Sequence, residues 1–415
     1  MRHTSLIFLG AALLIGGGWY VATRFVVKPI QPVTLSGAPT NTTLPTELDL
    51  RRNWSRNQCQ GQGDATFTHR PMRPEDTAVI LPYGLLADAH VTPIDHMYFS
   101  PADRQSAPDT YEVRAIADGY IVQIGHRVNF VGDHKGGNAA TKQTNDWRLD
   151  IEHSCDLYSY FDLITSLEPD IMAEVADLAG KMGSEPVRIP IKAGQLIGHI
   201  GGQTLDFGVY DNRVMLDFIN PLSYVRESWK VHTVDPFPFF EASVRQTMLD
   251  ELARFVEPRA GKIDYDIDGR LIGNWFREGT NGYNGVDQQR YWDGHLAVVP
   301  DYLDPTNVHF SIGNFGGTAK QFSVVRNSPR PEDVSVASGI VEYELASYQY
   351  VDSATGEPWM AEAPTPTITA KTMDDVLGVA LIQLAPDGKL KVEVFPGKTA
   401  GEVTTFTAAA ALYVR

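Results

Sequence analysis

Side chains whose types and spacing could do chemistry are few and fall in three places. His90 and His96 bracket Asp95 in His90-Val91-Thr92-Pro93-Ile94-Asp95-His96, just ahead of Tyr98 and Phe99. Imidazole nitrogens and carboxylate oxygens are donor types of zinc sites and of acid–base pairs; beside a turn with aromatic neighbours the same residues can simply pack. In the C-terminal half, His295 in Trp292-Asp293-Gly294-His295 and His309 in Val308-His309-Phe310 could line a pocket with Glu278, although histidines on strands of an all-β region are commonly structural. Cys59 and Cys155 are the only cysteines. They allow one disulfide, which would fit an oxidising compartment and pin the N-terminal linker to the next domain; two separate buried thiols is the competing reading.

The elements that must position these residues follow from composition and period. With 415 residues, 43% hydrophobic and 21% charged, the chain is globular and long enough for two domains behind a leader. Lys and Arg number 35 against 51 Asp and Glu, a net charge of −16, which argues against nucleic acid and anionic lipid as main partners. Arg2 and His3 precede an uncharged stretch from Thr4 to Thr23, closed by Arg24 and Lys28. About 20 apolar residues span a bilayer core. The exit Trp19-Tyr20-Val21-Ala22-Thr23 suits a membrane interface better than a signal peptidase, so residues 1–28 read as an uncleaved anchor with a cleaved signal as the alternative. Charge flanks both ends equally and leaves orientation open. Residues 29–75, rich in Pro, Thr, Asn and Gln, read as a polar linker.

Beyond it the period is two. Tyr111–Ile116 and Tyr120–Ile124 around Asp118-Gly119 predict a strand pair with a tight turn. Residues 132–146 read as a polar loop, and further strands are expected at Leu149–His153, Arg188–Ile191, Leu196–Ile200 and Leu205–Phe218. Ile171, Met172, Val175 and Leu178 predict a helix between Pro169 and Gly180. A second helix is expected over Phe240–Phe255. After Pro258 short strands with Gly, Asn and Asp turns run to Val414 and imply an antiparallel barrel or sandwich. The expectation is a mainly β chain with a domain at 76–235 and another at 236–415.

Residues 76–215 resemble the lysostaphin/LytM-type zinc metallopeptidases, whose fold is a β-sheet groove. Val113-Arg114-Ala115-Ile116-Ala117-Asp118-Gly119-Tyr120-Ile121 is similar to the family's hairpin. Leu149-Asp150-Ile151-Glu152-His153 and Tyr158-Ser159-Tyr160-Phe161-Asp162-Leu163 follow in the positions of "V-x-I-x-H" and "T-x-Y-x-H-L". Ile191-Lys192-Ala193-Gly194-Gln195-Leu196-Ile197-Gly198 looks like "V-x-x-G-Q-x-I-G", and Leu205-Asp206-Phe207-Gly208-Val209 sits where the family has "L-H-F-E". The order matches over about a third of the chain.

The resemblance implies a metal held by a His-x-x-x-Asp motif and the second His of His-x-His, with two more histidines for catalysis. Here Thr204-Leu205-Asp206 stands at His-x-His, Asp162 replaces the histidine of "Y-x-H-L", and no histidine lies four residues ahead of Asp95. Catalytic zinc needs three protein ligands, an open position for water and a nearby base. The nearest set is His90 or His96 with Asp95 and Asp206 around zinc or another divalent ion, Asp162 as base, and Thr204 and Tyr160 as binding residues. Three carboxylates around one ion favour a harder metal. The expectation is therefore a groove without catalysis or cofactor that binds envelope glycan, peptide or a partner protein outside the cytoplasm. The alternative is a metallo-endopeptidase acting on peptidoglycan. Gly273-Asn274-Trp275 also resembles the Gly-x-Trp start of lipocalin-type barrels, which would imply a small apolar ligand inside the C-terminal barrel.

Overall fold

The computed structural model describes residues 58–128, 145–361 and 363–415. The anchor read at 1–28, the linker as far as 57 and most of the loop read at 132–146 lie outside the described residues. Among those described, no helix is long and apolar enough to cross a membrane.

Ten strands precede residue 212: β1 Thr77–Leu81, β2 Met97–Pro101, β3 Tyr111–Arg114, β4 Gly119–Val128, β5 Asn145–Glu152, β6 Leu157–Ile164, β7 Ser166–Leu167, β8 Gly183–Ile191, β9 Leu196–Ile200 and β10 Leu205–Asp211. Seven form an antiparallel sheet in the order β1-β2-β10-β6-β5-β4-β8, and β3-β9-β7 form a second, small sheet. Strand side chains alternate between faces, and here the alternation separates two kinds of chemistry. Met97 and Phe99, Trp147, Leu149 and Ile151, Leu157 and Phe161, and Leu205, Phe207 and Val209 enter one large apolar core. The residues between them point the other way: Tyr98, Arg148, Asp150, Tyr158, Tyr160, Asp162, Asp206 and Tyr210. One face is thus a core and the other is polar and aromatic.

The hairpin expected from Tyr111 to Ile124 does not form. β3 pairs with β9 and β4 with β5 and β8. Ala115, Ile116 and Ala117 are all buried, so the chain crosses between two sheets there and cannot fold back through an exposed turn. The expected first helix is α1, Pro169–Glu174, continued by a 3₁₀ turn at Ala176–Leu178. The second is α2, Ala242–Asp250. It packs through Met248 on the first core, together with Phe240, Leu252, Ala260 and Ile263, so the segment from 236 to 263 belongs physically with the first unit. Phe67 and Met72 join the same core; the fold therefore starts before residue 76.

The C-terminal strands are β11 Gly273–Arg277, β12 His295–Pro300, β13 Val308–Phe315, β14 Thr318–Val324, β15 Val341–Asp352, β16 Ile368–Leu384, β17 Leu390–Pro396 and β18 Ala411–Val414. They close in sequence order into a barrel, with β11 pairing back to β18. Closure removes the exposed strand edges that an open sheet would present. The inward residues Trp275, Val298, Phe310, Phe322, Leu345 and Ile382 belong to one buried cluster. Trp275 sits at one end; its indole N–H donates to the Leu271 carbonyl, and the Arg415 guanidinium lies 4.0 Å over its ring. On the outer wall Phe276 and Tyr283 enter the first core, and Asn274 donates to the Tyr224 hydroxyl, so the two units share packing.

Candidate functional site

The polar face of the large sheet gathers the expected site residues where β2, β10, β6 and β5 run side by side. Antiparallel register sets Asp206 opposite Tyr98 on one side and Asp162 on the other. Tyr160 stands opposite Gly208 and Asp150. Directly opposed like charges repel, and the two carboxylates meet different surroundings. Asp162 accepts from the Arg127 guanidinium and from the Leu163 N–H, with Arg148 3.9 Å away. Asp206 faces His96 Nε2 at 3.4 Å. Burial pushes its pKa up to about 7, with the Asp162 charge adding to the rise, while His96, Arg127 and Arg148 oppose it.

Asp95 is the most enclosed of the group. Its carboxylate accepts from Lys230 Nζ, from the Trp229 indole N–H at 2.9 Å and from the Tyr160 hydroxyl at 3.4 Å. Burial alone would raise its pKa, but Lys230 and His96 hold it well below the usual carboxylate range. The side chains of Lys230 and Asp95 are 7% and 3% exposed, so this ion pair lies inside the protein. The Lys230 ammonium also stands 4.6 Å over the Tyr283 ring contributed by the C-terminal unit. His96 links the two carboxylates: its Nδ1 lies 3.1 Å from the Tyr160 hydroxyl and its Nε2 3.1 Å from the Tyr98 hydroxyl. Arg148 stacks over Tyr160 at 4.0 Å and Trp229 at 5.0 Å and is ion-paired to Asp150.

Asp95, His96, Asp162, Asp206 and Tyr160, which the resemblance set at one site, are therefore neighbours. Among the described residues no group of three or more His, Cys, Asp or Glu side chains is placed to hold a metal ion. Asp95 serves Lys230, Asp162 serves two arginines, and both His96 nitrogens face hydroxyl and carboxylate groups of the protein. A divalent ion would enter beside three fixed positive charges. His90 closes a tight turn with Ala87, and its ring stands 6.2 Å edge-on from that of His96. Thr204 lies beside the cluster with its hydroxyl 3.5 Å from Asp206.

His153, His295 and His309 make structural contacts. His153 bonds Ser159 and the Asp118 carbonyl, and burial lowers its pKa to about 4. His295 meets the Tyr283 carbonyl at 2.9 Å, with burial lowering its pKa to about 3. His309 is buried against Tyr348 and Asp301. Glu278 pairs with Lys389 and joins neither of these histidines.

Lys230, Trp229, Arg127 and Arg148 were not legible as site residues. Arg148 alternates with Asp150 on β5, and period-two reading of Arg148-Leu149-Asp150-Ile151 places both on the polar face. Lys230 comes from a 3₁₀ segment, Pro221–His232, remote in sequence and without strand or helix periodicity. Gly208 matters through what it lacks: a Cβ there would overlap the Tyr160 ring. Gly208→Ala should displace Tyr160 from Asp95 and His96 and destabilise the fold by about 1–3 kcal/mol. Thermal unfolding measures it, and an unchanged melting temperature would show that the ring has room to move.

No family model matches the chain, and no curated protein does. Solved structures that align with it include Helicobacter pylori Csd3 from an orthorhombic crystal, at 16% identity and a TM-score of 0.22, over 43% of this chain and 36% of Csd3. The chain thus aligns with about a third of the length of that protein. The antimicrobial peptidase lysostaphin from Staphylococcus simulans aligns at 13% identity and a TM-score of 0.24, over 84% of this chain and 99% of lysostaphin. At these identities the alignments assign no residue a role.

Proposed function

We propose that this chain is a membrane-anchored, extracytoplasmic binding protein whose LytM-like groove holds cell-envelope peptide or glycan without cutting it. The observation that carries the reading is the Lys230–Asp95 ion pair, with Arg127 and Arg148 on Asp162 beside it. Positive charge that a Lewis-acid metal would supply is supplied by fixed side chains. An ammonium or guanidinium can hold an anion or a carbonyl, but it does not generate hydroxide from bound water as zinc does. Arg148, stacked on Tyr160 and Trp229, adds a further fixed cation beside the pair. The apolar leader supports the anchor, and the Cys59–Cys155 disulfide supports an oxidising compartment.

Pelleting of the full chain with purified, insoluble peptidoglycan tests this. The protein is expected to sediment with the polymer, to carry no stoichiometric zinc by elemental analysis and to release no soluble fragments. Fragment release that a chelator stops and added metal restores would establish a peptidase instead.

A further inference from the structure

Beside the cluster, and sharing Tyr98 with it, an open cavity of about 320 Å³ is lined by Leu81, Leu85, Arg104, Gln203 and Thr204. Its walls divide by chemistry. Leu81 and Leu85 form an apolar side and pack against Tyr302 of the C-terminal unit, so the cavity lies where the two units meet. Arg104 is exposed on the rim. Its guanidinium donates to the Ser100 hydroxyl at 2.9 Å and makes no ion pair among the described residues. In a chain of net charge −16, where every arginine of the neighbouring cluster is matched to a carboxylate, an unmatched guanidinium over a cavity is an available anion site. Gln203 is fixed in orientation, because its amide N–H groups donate to Asp146 Oδ1 and the Leu163 carbonyl at 2.8 and 2.6 Å. Its Oε1 is left as an acceptor for a ligand N–H. Asp206 lies behind Thr204 and Tyr98, which sets a direction: negative charge on a ligand is favoured at Arg104 and disfavoured at the Thr204 end.

We propose that this cavity binds the free C-terminal carboxylate of a short peptide, with Arg104 gripping the carboxylate, Gln203 Oε1 accepting a backbone N–H and Leu81 and Leu85 holding a small apolar side chain. The volume admits about two small residues, and one fixed acceptor, one cation and an apolar wall are the few oriented groups that such a pocket uses for specificity. The inference deepens the groove's proposed role and rests on that reading for its biological ligand; the cavity itself is tested without it.

The probe is N-acetyl-dialanine as free acid, in L,L and D,D forms, against the C-terminal amide of each, added to the full chain and followed by ligand-observed NMR. At least one free acid is expected to bind saturably, with its amide about tenfold weaker or worse, and Arg104→Gln is expected to weaken the acid by about tenfold or more. Arg104 is exposed, so the variant should fold; an unchanged thermal transition checks that, and Arg104→Lys should restore part of the binding. Equal binding of acid and amide, or an acid indifferent to Arg104→Gln, overturns the proposal. Pelleting with peptidoglycan separates the two readings. Pelleting without Arg104-dependent dipeptide binding overturns the carboxylate site while the binding groove stands. Arg104-dependent dipeptide binding without pelleting supports the site and removes the groove's envelope ligand.

Discussion

Lys230→Met should destabilise the folded protein by about 3–5 kcal/mol at neutral pH. The substitution takes away the ammonium and leaves the Asp95 carboxylate inside the protein with the Trp229 indole, the Tyr160 hydroxyl and the His96 ring as its remaining partners. Breaking a buried pair by removing one partner leaves a charge with neither water nor counterion, and this is why the expected loss exceeds that of a surface pair, typically about 0–1 kcal/mol. The pH dependence has a definite sign. In the wild type the Asp95 pKa is depressed, so the pair's contribution is present above the unfolded carboxylate value near 3.9 and is lost as pH falls through the lower folded value. In Lys230→Met burial dominates and the folded pKa rises. The variant is then penalised most at neutral pH, and its deficit narrows toward pH 4 as Asp95 takes up a proton. Asp95→Asn added to Lys230→Met removes the charge altogether and should recover much of the loss. Urea unfolding at pH 7 and at pH 4.5 reads all of this. A deficit below about 1 kcal/mol that does not change with pH would mean that water reaches the pair.

That ion pair also marks where sequence reasoning stops. The strands were legible because one face of each is a core: in Leu205-Asp206-Phe207-Gly208-Val209 alternate apolar residues reveal both the strand and which residues oppose the core. Asp162, Tyr160, Asp206, Asp95 and His96 were grouped only through the motif positions that the resemblance to the lysostaphin/LytM family implied. Barrel closure was half legible. Regular short strands implied a barrel or sandwich, but the pairing of Phe276 with Val414 is a contact across almost the whole C-terminal unit and leaves no local pattern. The identity of the site's cations was not legible for the same reason. Lys230 lies 135 residues from Asp95, in a segment with no period, and a lone Lys in such a segment is ordinarily solvated. The hairpin at Asp118-Gly119 failed in an instructive way. Asp118 accepts from the Ala193 N–H and pairs with Lys192, partners that lie on the β8–β9 connection and not across a β3–β4 hairpin.

Removal of the disulfide, by Cys59→Ser together with Cys155→Ser, is expected to cost about 2–5 kcal/mol. The half-cystines are 96 residues apart in sequence, and chain-entropy models give about 4.7 kcal/mol for a loop near 100 residues. The native side of the balance also favours a large effect, because the link is part of a wider docking. Cys155 N–H donates to the Gly61 carbonyl, Gly63 N–H to Asp156 Oδ2 and the Ser154 hydroxyl to the Gly63 carbonyl, while Asp64 pairs with Arg213. These contacts hold the start of the described chain at the β5–β6 turn, on the sheet whose polar face carries the site. Without the cross-link these contacts alone must order the segment from Cys59 to Asp64, at its own entropic cost. Thermal and urea unfolding with and without reductant measure the effect: the wild type in reductant should fall to the level of the double serine variant, and the variant should ignore reductant. A variant as stable as the wild type would show that the hydrogen bonds alone anchor the segment. If the loss appears, the disulfide fixes the segment from Cys59 to Asp64 at the β5–β6 end of the sheet whose polar face carries the site.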